Sequence, residues 1–242
     1  MMAARTLALA LAALSCITAS TAHAYLNPYV RAGFGGHGVK MTDANAAIET
    51  AVDWARTGGL PVSPSKVGAG YGPSMSAGIW LVPGFRVGAT YAQQKSKVPH
   101  EYTQPGFLYE DNYEFTMREL GLEAAIRVPQ LAGFTFGGGA ADASAEMAEA
   151  FALENVHGLY YETLAASRTI RTYSMFFGFD QTMSKGIAGY LQIGYHWRDA
   201  GRLQGVHEID DNGTITRTSV ETVPADFSGW SVRVGAGYDL KW

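Results

Sequence analysis

An all-β fold, an eight-stranded antiparallel transmembrane β-barrel with long external loops, is predicted by three observations. Stretches in which apolar and polar residues alternate recur along the chain, with the period of two that belongs to a strand. After residue 24 no apolar run approaches the roughly 18 residues a membrane helix needs. Residues 227–242 put Trp230, Val232, Val234, Ala236, Tyr238, Leu240 and Trp242 on one side, against Ser231, Arg233, Gly235, Gly237, Asp239 and Lys241 on the other. An apolar face with aromatics at both ends, backed by a charged face, suits a strand between lipid and a polar barrel interior. A sheet in lipid has to close on itself, because an open edge leaves backbone groups unsatisfied.

The chain begins with Arg5, an apolar segment over residues 7–17 and Ala22-His23-Ala24, the pattern of a secretory signal peptide cleaved after a small residue. Residues 1–24 are therefore set apart from the fold. A lipoprotein signal using Cys16 is the competitor, but Ala13 stands three residues before it, where Leu is favoured. Cys16 is the only cysteine and leaves with the signal, so the mature chain can build neither a disulfide framework nor a thiolate metal site.

Residues 25–242 have the length of one domain. Removing Arg5 from the 18 basic residues leaves 17 against 22 acidic ones. With no basic cluster, nucleic-acid binding is not expected. No cofactor is expected either.

The strands follow in order. Residues 29–37 turn Val30, Ala32 and Phe34 outward and Arg31 inward, and residues 67–82 turn Met75, Ala77, Ile79 and Leu81 outward before a Pro83-Gly84 turn. In residues 85–94, Phe85, Val87, Ala89 and Tyr91 face out and Arg86 faces in. The fourth strand ends with Leu120, Leu122, Ala124 and Ile126 outward against Glu119, Glu123 and Arg127. The fifth starts at Phe134 and Phe136 and passes Gly137-Gly138-Gly139, where the alternation slips and a bulge is expected. The sixth spans residues 168–180, the seventh residues 187–198, and the eighth is the terminal stretch. Trp80, Val82 and Phe176 also fall on inward positions, which calls for a register shift or an apolar interior layer.

Three connections are short (Pro83-Gly84, residues 128–133 and residues 180–185), and four are long: residues 38–66, 95–114, 142–167 and 201–226. Short periplasmic turns and long external loops are the habit of outer-membrane barrels, so both termini are expected in the periplasm. In this pattern and count the whole mature chain resembles the small eight-stranded outer-membrane proteins typified by the OmpA membrane domain and OmpX. The resemblance implies residence in the outer membrane of a Gram-negative bacterium, contact with lipid and lipopolysaccharide, and a monomer. It also implies that Tyr238, Leu240 and Trp242 form a C-terminal signal read by the barrel-assembly machinery, with Trp242 where that family usually ends in Phe.

In the first long connection, Ala44, Ala47, Ile48, Ala51, Val52 and Ala55 recur at helical spacing. Thr42 or Asp43 can cap the start of this helix and Gly58-Gly59 its end. The expectation is a short amphipathic helix outside the membrane plane, packed on its own loop. Residues 143–155 fit either a helix or a continued strand, and Asn212-Gly213 marks a hairpin turn. Tyr113 and Phe115 are expected in the interface belt, while Tyr102 and Phe107 divide between belt and partner contact.

Parity collects Arg31, Arg86, Glu119, Glu123, Arg127, Arg233, Asp239 and Lys241 in the lumen. An eight-stranded interior is filled by side chains, so these charges are expected to pair with one another and plug it. The alternative is a narrow channel for small solutes. His196, inward near the outer end of the seventh strand, loosely resembles the His of outer-membrane lipid A deacylases. That family has a Ser two residues later, whereas this chain has Arg198, so the nucleophile is missing and catalysis is not expected. Glu208, Asp210 and Asp211 lack EF-hand spacing and read as a solvated turn. The reading is a non-catalytic envelope protein with a structural or surface-interaction role exercised through its loops, with the channel and a lipid A-modifying enzyme as alternatives. A soluble β-sandwich or lipocalin-like barrel is the structural alternative.

Overall fold

The computed structural model describes residues 26–128, 131, 133–155, 158–183 and 186–240. The predicted signal peptide, Lys241 and Trp242 lie outside the described residues. Ten strands and one helix follow in chain order: β1 (Asn27–Gly38), α1 (Thr42–Thr57), β2 (Ala69–Val82), β3 (Phe85–Gln104), β4 (Phe107–Arg127), β5 (Phe134–Asn155), β6 (Gly158–Thr182), β7 (Ile187–Trp197), β8 (Asp199–Asp211), β9 (Thr214–Asp226) and β10 (Gly229–Asp239).

Eight of these strands close a ring. From β1 to β7 each strand pairs antiparallel with the next, β7 pairs with β10, and β10 returns to β1 with Tyr29 opposite Asp239 and His37 opposite Ser231. The remaining two, β8 and β9, form a hairpin that continues β7 and β10 outward. The long β6 pairs with β7 over Tyr173 to Thr182 and with β8 over Tyr160 to Ser167. Asn212 and Gly213 turn this hairpin at φ 51° and 89°, the left-handed pair that a two-residue hairpin demands and Asn-Gly supplies.

The sidedness of the strands divides the molecule in two. In β4 the odd residues face inward throughout, but their character switches along the strand. Tyr109, Tyr113, Phe115 and Met117 are buried in the outer half and Glu119 and Glu123 in the inner half, while Leu120 and Leu122, on the outer wall, are 66% and 70% exposed. Exposed leucines at that density form a belt far larger than a water-soluble surface carries. Outward of this belt the same face of β4 carries Arg118 and Glu114. The switch recurs between Tyr91 and Gln93 in β3, between Ala140 and Asp142 in β5, and between Tyr173 and Arg171 in β6. The inner half is thus apolar outside and charged inside; the outer half is polar outside and mostly apolar inside, with Asp111 and His100 as buried exceptions. In β7 the outward apolar run covers Ile187–Trp197, which at about 3.3 Å per residue and roughly 40° tilt is close to the 25 Å band of an outer-membrane barrel. Tyr71, Tyr91, Tyr173, Trp197 and Trp230, all exposed, ring its outer margin, where amphipathic aromatics sit between hydrocarbon and water.

This inversion corrects several expectations. The ladder through Gly137–Gly139 is continuous on both sides, with no bulge: the lining changes from polar to apolar and the residue parity does not. Of the expected loops, residues 95–104, 107–114, 142–155 and 158–167 are regular strand, because a mostly apolar interior lets β3, β4, β5 and β6 continue above the belt. Tyr113 and Phe115 point into the outer core, 6% and 1% exposed, and not into lipid. A register shift does occur between Trp80 and Val82, and Trp80 and Phe176 are buried in the interior.

Helix α1 fills the outer half. Its Ala44, Ile48, Val52 and Ala55 stripe is buried, and Ile48 and Val52 join Val98, Phe115, Met117, Ala145, Leu203 and Phe227 in one core. The apolar face therefore packs on the extended strands and not merely on its own loop. Met41 occupies the N-cap position without a side-chain cap, and is itself fully buried. The helix is tied down by Asn45, whose side chain donates to the Val67 carbonyl at 3.0 Å and accepts from the Val67 N–H at 2.7 Å.

Candidate functional site

The ring projects two layers of polar side chains into the lumen. The layer nearest the short turns is built around Asp180, expected at the junction of the sixth strand and the turn after it. β6 runs on to Thr182, so Asp180 keeps the inward parity of Phe176 and is 2% exposed. Its carboxylate lies 2.8 Å from Arg86, 3.5 Å from Arg31 and 3.7 Å from Arg127. Arg31 also meets Asp239 at 2.6 Å, and Arg86 meets Glu123 at 3.7 Å. Tyr29 and Trp80 offer ring faces to these cations, with the Arg127 guanidinium 4.6 Å from the Trp80 centroid. A guanidinium is weakly hydrated and stacks on aromatic planes, so aromatics suit a lumen crowded with arginine. Asp239 is fixed a second time by Thr182, whose hydroxyl donates to it at 2.8 Å.

The second layer lies higher, around Arg198, which is fully buried. Its guanidinium contacts Glu119 through two nitrogens, one at 2.7 Å, and donates to Gln94 at 2.9 Å. Thr172 donates to the same Glu119 at 2.9 Å. A carboxylate gripped by a planar fork and a hydroxyl has its lone pairs largely satisfied. Between the layers lie cavities of about 30 and 10 Å³, bordered by Glu123, Gln192 and Arg233. Such volumes hold water molecules singly.

Of the residues predicted for the lumen, Arg31, Arg86, Glu123, Arg127 and Asp239 come together in the lower network and Glu119 joins the upper one. Arg233 is half-buried, with Nη2 3.4 Å from His196 Nε2. Asp180 and Arg198, the anion and cation at the centre of the two layers, were not among the predicted set. Their signal was parity: Asp180 alternates with outward Phe177 and Phe179, and Arg198 continues the inward series of Tyr190 and His196.

His196 does acquire a serine. Ser231 on β10 lies 3.1 Å from its Nε2, and His37 packs edge-on at 4.7 Å. Both His196 and Ser231 are buried inside the ring, 5% and 4% exposed, on the side of the wall away from lipid. The groups against the imidazole are a second histidine and Arg233, where a nucleophile's base needs an orienting acceptor. In the outer hairpin, Glu208 pairs with Arg217 at 2.5 Å and Asp210 accepts from the Gly213 N–H at 2.8 Å. Those carboxylates shape the turn. Of the predicted C-terminal signal, Tyr238 and Leu240 are exposed on the lipid-facing side, and Trp242 lies outside the described residues.

No protein-family model matches the chain, and no curated protein matches it in sequence. Solved structures do match in fold. A major outer membrane protein from Thermus thermophilus aligns at TM-score 0.51 and 11% identity over 89% of this chain and 99% of that one. Ail, the attachment invasion locus protein of Yersinia pestis, crystallised with the heparin analogue sucrose octasulfate, aligns at TM-score 0.47 and 10% identity over 89% and 99%. The outer membrane protease OmpT from Escherichia coli aligns at 0.45 and 11% over 91% and 99%. At such identities the likeness is one of architecture: the chain has the fold of an outer-membrane β-barrel.

Proposed function

We propose that this protein is a non-conducting, non-catalytic outer-membrane barrel that acts at the cell surface through its outer half. The observation that carries this reading is the two-layer filling of the lumen, topped by an apolar core. Charges from β1, β3, β4, β6 and β10 pair across the lower interior, Arg198 and Glu119 pair above them, and the voids between the layers are water-sized. Over both, α1 and the extended strands form an apolar core, a barrier that ions cross at high desolvation cost. The outer half is then a pedestal raised on the extended β3, β4, β5 and β6, well suited to hold a contact surface away from lipopolysaccharide. Residues 1–24 serve as export signal, and Tyr238, Leu240 and Trp242 present the assembly machinery with a terminal strand.

Planar-bilayer recording tests the closed lumen. The refolded protein is expected to give no resolved current steps at neutral pH. Stable ohmic steps whose size changes in Arg127→Ala or Glu123→Ala would overturn the reading in favour of a narrow channel. For catalysis, lipid A from cells with and without the protein should give identical mass spectra, and an acyl change abolished by His196→Ala or Ser231→Ala would replace this reading with an enzymatic one.

A further inference from the structure

We propose that the outer half carries a binding site for an organic cation, an alkylammonium or guanidinium group, in a cleft between α1 and the outer ends of β4, β5 and β6. The proposal rests on the reading of the outer half as the interacting part of the molecule. The cleft measures about 530 Å³, within the range of small-molecule sites. Its walls are aromatic: Trp54 of α1, Tyr109 and Tyr113 of β4, Phe151 of β5 and Tyr160 of β6. Phe151 stands edge-to-face with Tyr109 at 5.6 Å and with Tyr160 at 6.1 Å. Trp54 is 64% exposed, a large apolar surface left toward solvent at the cleft.

Set among these rings are three carboxylates, Asp111, Glu149 and Glu162. Asp111 is the decisive one. It is 1% exposed; Oδ2 accepts a hydrogen bond from the Tyr113 hydroxyl at 3.1 Å and the Tyr109 hydroxyl also interacts with this carboxyl, but no hydrogen bond of ordinary geometry reaches Oδ1 among the described residues. A buried carboxylate oxygen without a donor is costly, and a cation in the cleft removes that cost. The three acids also repel one another. Glu149 is pushed up to about 7, first by burial and then by the charges of Asp111 and Glu162, and burial likewise raises Asp111. Among the described residues no cluster of acidic and histidine side chains is arranged to hold a metal ion, and a hard divalent ion such as calcium wants roughly six to eight oxygens. Ring faces with a few anions instead match a cation of low charge density, held by cation–π attraction as in quaternary-ammonium sites.

The test uses the mature chain refolded in detergent, with tetraethylammonium and choline as probes in titration calorimetry. The probe 3,3-dimethylbutan-1-ol, which has choline's shape without its charge, is the control. Both cations are expected to bind saturably, the alcohol at least about tenfold more weakly, and Asp111→Asn and Trp54→Ala are each expected to weaken the cations about tenfold. Asp111→Asn keeps an acceptor for Tyr113, and Trp54→Ala lies on an exposed helix face, so heat-modifiable gel mobility should survive in both. Choline carries a fixed charge, so its affinity should rise between about pH 6 and pH 8 as Glu149 ionises. The groups facing Glu149 are Asp111, Tyr109 and Tyr113 from β4, Glu162 and Tyr160 from β6, and Trp54 from α1, with His207 of β8 3.6 Å from Glu162. Failure of folded protein to bind either cation, equal binding of the alcohol, or unchanged affinity in both variants would overturn the site. Conductance is measured separately, so a failed site and a failed closed-lumen reading are distinguishable.

Discussion

At the scale of single residues, Asp180 has the largest consequence. One carboxylate answers three guanidiniums, and Arg31 and Arg86 keep second partners in Asp239 and Glu123. Removing one member of a buried charge network costs about 3–5 kcal/mol. Asp180→Ala is therefore expected to lower stability by that order in urea unfolding from lipid vesicles, followed by tryptophan fluorescence. Arg233→Ala, at a half-buried site, should lower it by less. Parity alone had assigned Arg31, Arg86, Glu123 and Asp239 to the lumen, and all four are buried or nearly so. Asp180 escaped because it opens a polar stretch, Asp180-Gln181-Thr182, that reads as a turn until the outward phenylalanines before it are counted. Glu149 makes a pH-dependent prediction. Its carboxyl is raised from 4.5 to about 7, so the folded state holds a proton that the unfolded chain has released, and stability falls as pH rises across that window. The difference in Tm between the parent protein and Glu149→Gln should widen from about pH 5 to pH 8, with the parent the less stable at high pH.

At the scale of elements, the helix and the extended strands define one another. α1 was legible as an amphipathic helix from its spacing, but what it packs against was not. The apolar residues that receive it, Val98, Phe115, Met117 and Ala145, sit on segments whose apolar phase is opposite to that of the same strands in lipid. A period-two pattern that keeps its parity while exchanging its faces looks, in sequence, like the end of a strand and the start of a loop. That exchange makes residues 95–114 and 142–167 read as loops and puts Tyr113 and Phe115 in the belt. Ile48→Asp places a charge where the parent has a residue 1% exposed, and its penalty should be confined to the outer half. The expected outcome is rapid cleavage of β8 and β9 by external protease, with heat-modifiable mobility retained. Ile48→Ala should cost about 2–5 kcal/mol as a cavity in the same core.

At the scale of the whole molecule, the eight-membered ring and the outer core are two structures sharing four strands. The ring was readable almost completely: strand number, outward residues, short and long ends all follow from alternation and turn residues. Even so, the hairpin of β8 and β9 adds two strands that belong to no ring position. It takes over from β7 as the neighbour of β6, so that β6 is paired over nearly its whole length. Amide hydrogen exchange of the protein in nanodiscs should divide accordingly. The lower stretches of β1, β7 and β10 are expected to be the most protected, and β9, which among the described residues has a strand neighbour on one side only, the least.

That one-sided pairing leaves the outer half as a cylinder with a slit. Among the described residues, the upper part of β3 pairs only with β4 and β9 pairs only with β8. The gap is spanned by side chains: α1 packs against β9, and Ser65, in the segment after α1, meets His100 of β3 at 2.9 Å. Parting the slit breaks packing and a few side-chain bonds but no backbone ladder, whereas parting the ring below would expose amides to hydrocarbon. The topology thus leaves one seam of the exterior closed by side chains alone, while the wall in the bilayer is laced by backbone all the way round.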